Sequence, residues 1–165
     1  MRSILPAEVD GNLALLYRHA VELFAARSAS AGVARFARLA IDAGLPEGLP
    51  QAKAALHDLW QRLFDAEAAL TRWDEAYAAL VAMPAGETRR ICLRQLVASM
   101  CERGEVDRLL RYPFVGMQHL LVHTLQFRAN NLDPRQSPSY HTILYAYFIH
   151  RGDYRSGAWS EIRRG

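Results

Sequence analysis

Two histidines, His119 and His123, stand four apart in a segment with helical spacing, close enough to share a metal ion. Leu120 follows His119, so the intervening Glu of a His-Glu-x-x-His site is missing, and no third ligand has a recognisable spacing. The bland alternative is a pair of half-exposed histidines on the flank of an amphipathic helix. Cys92 or Cys101 with a distant histidine could supply a thiol nucleophile and its base. Both thiols fall on or beside the apolar stripe of one helix, which points to packing. At ~1.5 Å rise per residue they lie roughly 13 Å apart, too far for a disulfide. Glu67, Asp74 and Glu75 could pair as carboxylates, and a surface or capping role explains them equally. Tyr140, Tyr145, Tyr147, Phe148 and Tyr154 could stack bases, but they crowd the most apolar stretch of the chain, which marks them as core. Glycine-rich phosphate loops, nucleophile elbows and Cys-x-x-Cys pairs are missing. These residues point to no catalytic, cofactor or metal site and to no enzyme, and no partner-binding residue is assigned.

The elements that carry these residues are all helical by composition. The 165 residues hold 26 Ala and 22 Leu against 18 Val, Ile and Thr together, favouring helix over strand. At 51% hydrophobic and 22% charged residues the chain lies far from disordered composition. The longest apolar run, Ile143 to Ile149, is too short to cross a bilayer, so membrane insertion is not expected. An apolar leader is not read at the N-terminus, and two unpaired thiols suit a reducing compartment. The net charge of +3 comes from arginines interspersed with acids. That pattern describes a solvated helix surface and disfavours nucleic acid as a partner. No small-molecule substrate is expected either.

Along the chain, residues 1–11 read as a loose lead-in and 12–165 as a single helical segment. Leu13, Leu16, Tyr17, Ala20 and Phe24 make one stripe, and Val33, Phe36, Ala37, Ala40 and Ile41 a second. Ser30 is placed to cap the second helix and Gly44 to end it. A third helix over about 51–71 carries Leu56, Leu59, Trp60, Leu63, Glu67 and Leu70, and a short one from Trp73 stops at Pro84. Leu93, Leu96, Val97 and Met100 mark a long helix ended by Gly104, followed by a short helix stopped at Pro113. Met117, Leu120, Leu121, Thr124 and Leu125 mark the next. Ser137-Pro138 reads as an N-cap with proline at the first helical position, opening a last apolar helix that Gly152 ends, with Asp153 capping a successor. Thr71-Arg72-Trp73-Asp74, Glu102-Arg103-Gly104-Glu105 and His150-Arg151-Gly152-Asp153 punctuate the chain alike: a helix ends, one residue turns, and an acid opens the next helix. Uneven separations between them predict an all-α, irregular α-solenoid of stacked αα-hairpins.

Several segments resemble a known family. Tyr17 to Phe24 with Phe36 to Ile41, then Ala76 to Leu80 with Met83-Pro84, are similar to helices of the large outer-ring scaffold nucleoporins of the nuclear pore Y-complex. The likeness is sharpest at Cys92-Leu93-Arg94-Gln95-Leu96-Val97 with Cys101-Glu102-Arg103. It continues at Leu109 to Phe114, and at Leu144 to Arg151 with Tyr154-Arg155. The resemblance implies part of the C-terminal α-helical domain of such a protein, a fragment of a longer chain. It implies a structural scaffold in the nucleus at the nuclear pore complex of the nuclear envelope, supporting mRNA export and protein import. Other Y-complex nucleoporins would be its partners. The competing readings are a helical-repeat RNA-binding or adaptor protein and a small metalloenzyme using His119 and His123.

Overall fold

The computed structural model describes residues 12–133 and 135–152. The lead-in 1–11, the Asp153 cap and Tyr154 lie outside the described residues. Eight helices and no strand occur among the described residues: α1 (Leu13–Ala26), α2 (Ser30–Ala43), α3 (Ala52–Ala69), α4 (Trp73–Ala82), α5 (Glu87–Glu102), α6 (Val106–Arg111), α7 (Gln118–Asn131) and α8 (Tyr140–His150). The chain forms two compact units, Met1–Cys92 and Leu93–Gly165.

In the first unit each helix packs chiefly on its neighbour in sequence, α1 on α2, α2 on α3 and α3 on α4. That nearest-neighbour order is the mark of a repeat array. Asn12 starts α1, its Oδ1 accepting the Leu15 N–H at 3.2 Å. The core alternates leucine with small residues: Val21, Val33, Ala34, Ala37, Ala40, Leu59, Leu63, Ala66 and Ala79 are buried. Phe24 and Phe36 stack across α1 and α2 with centroids 5.3 Å apart. Small residues let these helices approach closely. A Cβ added to Gly32 would fall 2.2 Å from Phe24 Cδ1, so only glycine fits there with the ring in place.

In the second unit α8 packs on α7 and α6. The predicted stripe is buried in full: Leu93, Leu96, Val97 and Met100 are at most 1% exposed. Phe114, Met117, Leu121 and Leu125 are also inaccessible to solvent. Of α8, Tyr140, Ile143, Leu144 and Tyr147 are buried, whereas Tyr145, Phe148 and Ile149 are half-buried.

Three helix ends share one backbone device, and a fourth shows its first bond. At the end of α1, the Ser28 and Ala29 N–H groups donate to the Ala25 and Phe24 carbonyls (both 3.0 Å). After α3, Thr71 donates to Ala68 and Arg72 to Glu67 (both 3.0 Å); after α5, Gly104 donates to Cys101 (3.2 Å) and Glu105 to Met100 (2.8 Å). Gly152 repeats the first of these bonds after α8, to Ile149 at 3.0 Å. The paired bonds are Schellman closures, and each needs a residue with positive φ. That residue is Ser28 (φ 52), Thr71 (φ 56), Gly104 (φ 76) or Gly152 (φ 73). The turn at Ser28 is one that the three-fold punctuation of the sequence omitted.

Three local expectations are corrected. Ser30 is the first residue of α2 rather than its cap; Ala29 holds that place because the Schellman closure at Ser28 uses up the link. Ser137-Pro138 does not open α8. The chain is still extended at Ser139 (φ −77, ψ 109), and helical backbone begins at Tyr140. The Ser137–Pro138 peptide is cis. Of the acids after the turns, Glu105 stands at the N-cap of α6 without a side-chain cap bond, Arg72 rather than an acid holds that place in α4, and Asp74, Glu75 and Asp107 lie in the first turns. There they complement the positive end of the helix dipole.

Candidate functional site

Two of the three carboxylates grouped in the sequence, Glu67 and Glu75, meet through an arginine in the first unit. Glu67 on α3 is buried at 4% exposure, which corrects the surface or capping role expected for it. Arg38 reaches from α2 to both acids, its Nη2 lying 3.4 Å from Glu67 Oε1 and donating to Glu75 Oε2 at 3.1 Å. Arg72 Nη1 stands 3.7 Å from Glu67 Oε2, at ion-pair distance but beyond a hydrogen bond. Burial pushes the Glu67 carboxyl above its ordinary range, outweighing the opposite pull of Arg72 and Arg38. Arginine therefore occupies the space between the two acids, and α2, α3 and α4 are tied by one ionic cluster. The sequence does not point to Arg38, because it lies 29 residues from Glu67 and no local spacing signals it.

The two thiols are core groups. Cys92 and Cys101 are free and buried, and burial pushes each up to about 12, with Asp65 adding to the effect at Cys92. Nearly all of each thiol stays protonated at neutral pH, which is unsuited to nucleophilic attack. Cys101 instead neighbours Tyr140, whose hydroxyl accepts from Arg128 Nη1 at 3.3 Å while the guanidinium lies 5.4 Å from the ring centroid. Arg151 sits likewise over Tyr147 at 5.4 Å, and its Nη2 donates to the Tyr112 carbonyl at 2.8 Å. Of the tyrosines offered as stacking platforms, Tyr140 and Tyr147 are thus buried and covered by the protein's own arginines.

His119 and His123 are both exposed on α7 and border a shallow groove against α8, with Val122, Tyr147, Phe148 and Arg151. Among the described residues no three His, Cys, Asp or Glu side chains gather as a metal site would require.

What the described surface does offer is apolar contact area. Leu13, Leu16 and Leu23 are exposed along α1, which corrects the stripe expected to bury Leu13 and Leu16. In the second unit, Phe127 and Leu132 are 62% and 41% exposed and line a groove of about 480 Å³. Arg94 from α5 and His123, Thr124, Arg128 and Asn131 from α7 complete it. Helical spacing alone puts Phe127 on the stripe, seven residues after Leu120 and three after Thr124, so its exposure was not legible in the sequence.

Comparison with known proteins agrees with this geometry. Residues 6–160 match the family model described as NUP160/120 middle TPR. The nucleoporin NUP120 of Chaetomium thermophilum is 32% identical over 151 residues, 91% of this chain and 12% of its own length. The nuclear pore complex protein Nup160 of Homo sapiens is 36% identical over 81 residues, covering 49% of this chain and 6% of that protein. NUP160 of Arabidopsis thaliana is 28% identical over 155 residues, 86% of this chain and 10% of its own length. The chain thus spans a small part of the length of these relatives.

Proposed function

This chain belongs to the NUP160/120 nucleoporin family, and from that premise we propose that it is a structural, non-enzymatic segment of a nuclear pore scaffold. Residues 12–165 act as one helical-repeat segment of a longer protein at the nuclear pore complex in the nuclear envelope. Other nucleoporins, those of the Y-complex in particular, are its partners, and nucleocytoplasmic transport of mRNA and protein depends on the assembly. The observation that carries this reading is the match of the repeat-family model over nearly the whole chain. The neighbour-on-neighbour packing of α1 to α4 supports it, because such helices present long surfaces of fixed geometry to other proteins. Among the side chains that could do chemistry, the thiols are buried and protonated, and Glu67 and Glu75 are held by Arg38.

The test is affinity purification of the tagged protein from nuclease-treated extract of its source cells, with mass spectrometry of what is retained. Recovery of several outer-ring nucleoporins in stable proportion is the expected result. Recovery of none of them, with ribonucleoproteins in their place from untreated extract, would overturn the scaffold reading.

A further inference from the structure

The groove between Arg94 on α5 and the Phe127–Leu132 end of α7 has a chemistry that selects its occupant. Its charged lining is of one sign: Arg94 and Arg128 border it and no acid does. Arg94 is exposed and makes no hydrogen bond or ion pair among the described residues. Two polar groups in the wall already have partners within α7. Thr124 Oγ1 donates to the Leu120 carbonyl at 2.8 Å, and Asn131 Nδ2 to the Phe127 carbonyl at 2.7 Å. An apolar side chain can therefore cover this wall without stranding those donors, which burial would otherwise penalise. Exposed Phe127 and Leu132 supply the apolar contact.

We propose that this groove is a docking site for an acidic amphipathic helix of a protein partner, which seats an apolar side chain against Phe127 and Leu132 and pairs a carboxylate with Arg94. Helix-in-groove recognition uses this combination of apolar anchors and charged rim. A nucleic acid fits less well, because backbone tracking needs a run of free cations. Here Arg128 already donates to Tyr140 and lies over its ring, leaving Arg94 as the free arginine of the lining. The inference rests on the scaffold reading above, and it adds which face is used and what chemistry the partner carries.

The experiment places the photo-cross-linking residue p-benzoylphenylalanine at position 127 of the full-length protein in its source cells. After illumination and purification, the adducts are sequenced by mass spectrometry. The expected adduct is a peptide from a different polypeptide, amphipathic by sequence, with at least two carboxylates within one helical turn of the linked residue. Arg94→Glu should lower the adduct yield about fivefold or more, the size of a lost rim ion pair turned repulsive, while Arg94→Lys keeps most of it. Arg94 is exposed, so both variants should melt with the parent. Adducts to the protein's own polypeptide, to a second isotope-labelled copy or to RNA would each overturn the proposal. So would the loss of any adduct while outer-ring nucleoporins still co-purify, and in that case the scaffold reading survives. If neither adduct nor nucleoporin is recovered, both fall.

Discussion

The two units close their helices with the same backbone hydrogen bonds but with different residues. At these closures the left-handed residue is Ser28 or Thr71 in the first unit and Gly104 or Gly152 in the second, although Gly44 (φ 75) also ends α2 of the first unit. Glycine adopts that conformation freely, whereas a side chain, a β-branched one above all, resists it. At Gly104 and Gly152 the local chemistry suffices to make the turn. At Thr71 something else must hold it, and the neighbours name it. Arg72, the next residue, faces buried Glu67, which also meets Arg38 of α2, and Trp73 behind it is 2% exposed. Tertiary packing holds the turn at Thr71, and backbone preference makes the turns at Gly104 and Gly152.

Core truncations should test whether the contrast is confined to the turns. Leu63→Ala in the first unit and Leu96→Ala in the second each remove a fully packed leucine and should cost about 2–5 kcal/mol in urea unfolding. A cost below about half a kcal/mol at either position would mean that unit's stripe is misassigned.

Next in size is the close approach of α1 and α2. Gly32→Ala should cost about 1–3 kcal/mol, since its Cβ meets the Phe24 ring, and Phe24→Ala in the same chain should relieve most of that clash. Equal losses with and without Phe24, read by a double-mutant cycle, would place the strain elsewhere.

The turns themselves give smaller, opposite effects. Gly104→Ala should cost about 1–2 kcal/mol. Thr71→Gly should be neutral or stabilising by up to about 1 kcal/mol, and Ser28→Gly less so. If Thr71→Gly destabilised by as much as Gly104→Ala, the hydroxyl would be part of the turn. It does donate to the Leu70 carbonyl at 2.7 Å.

Smallest is the pH signature of the ionic cluster. The folded state raises the Glu67 carboxyl above its usual value of 4.5, so the folded protein holds that proton more tightly than the unfolded chain does. The contribution of this group to stability is then full below pH 4.5 and is lost as pH rises through the raised value. The stability of the parent minus that of Glu67→Gln should fall across that window and flatten above it. A difference that rose with pH instead would show that Arg38 and Arg72 outweigh burial.

Most helices were legible because their signals are local. Gly44, Pro84, Gly104 and Pro113 end elements through their own backbone, and Leu93, Leu96, Val97 and Met100 repeat at helical spacing with no need of a partner. Ser30 and Ser137 misled because a serine before an apolar run resembles a cap wherever it falls, and the chain's path decides whether helical backbone starts there. The small residues of the first core were only partly legible. Ala34, Ala55, Ala66 and Ala68 carry little hydrophobic signal, yet each is buried where two helices come close.

By itself, then, the sequence determined the all-helical class, the periodic stripes, the glycine and proline stops and a fragmentary likeness to outer-ring nucleoporins, because each is carried by residues within a few turns of one another. Tertiary structure decided the rest. It put Glu67 between Arg38 and Arg72, sealed the thiols away from water and covered two tyrosines with arginines. It also left Arg94 beside an uncovered Phe127. Those outcomes depend on which distant side chains share a face, and pairing across helices is a property of the folded chain that no short window of residues contains.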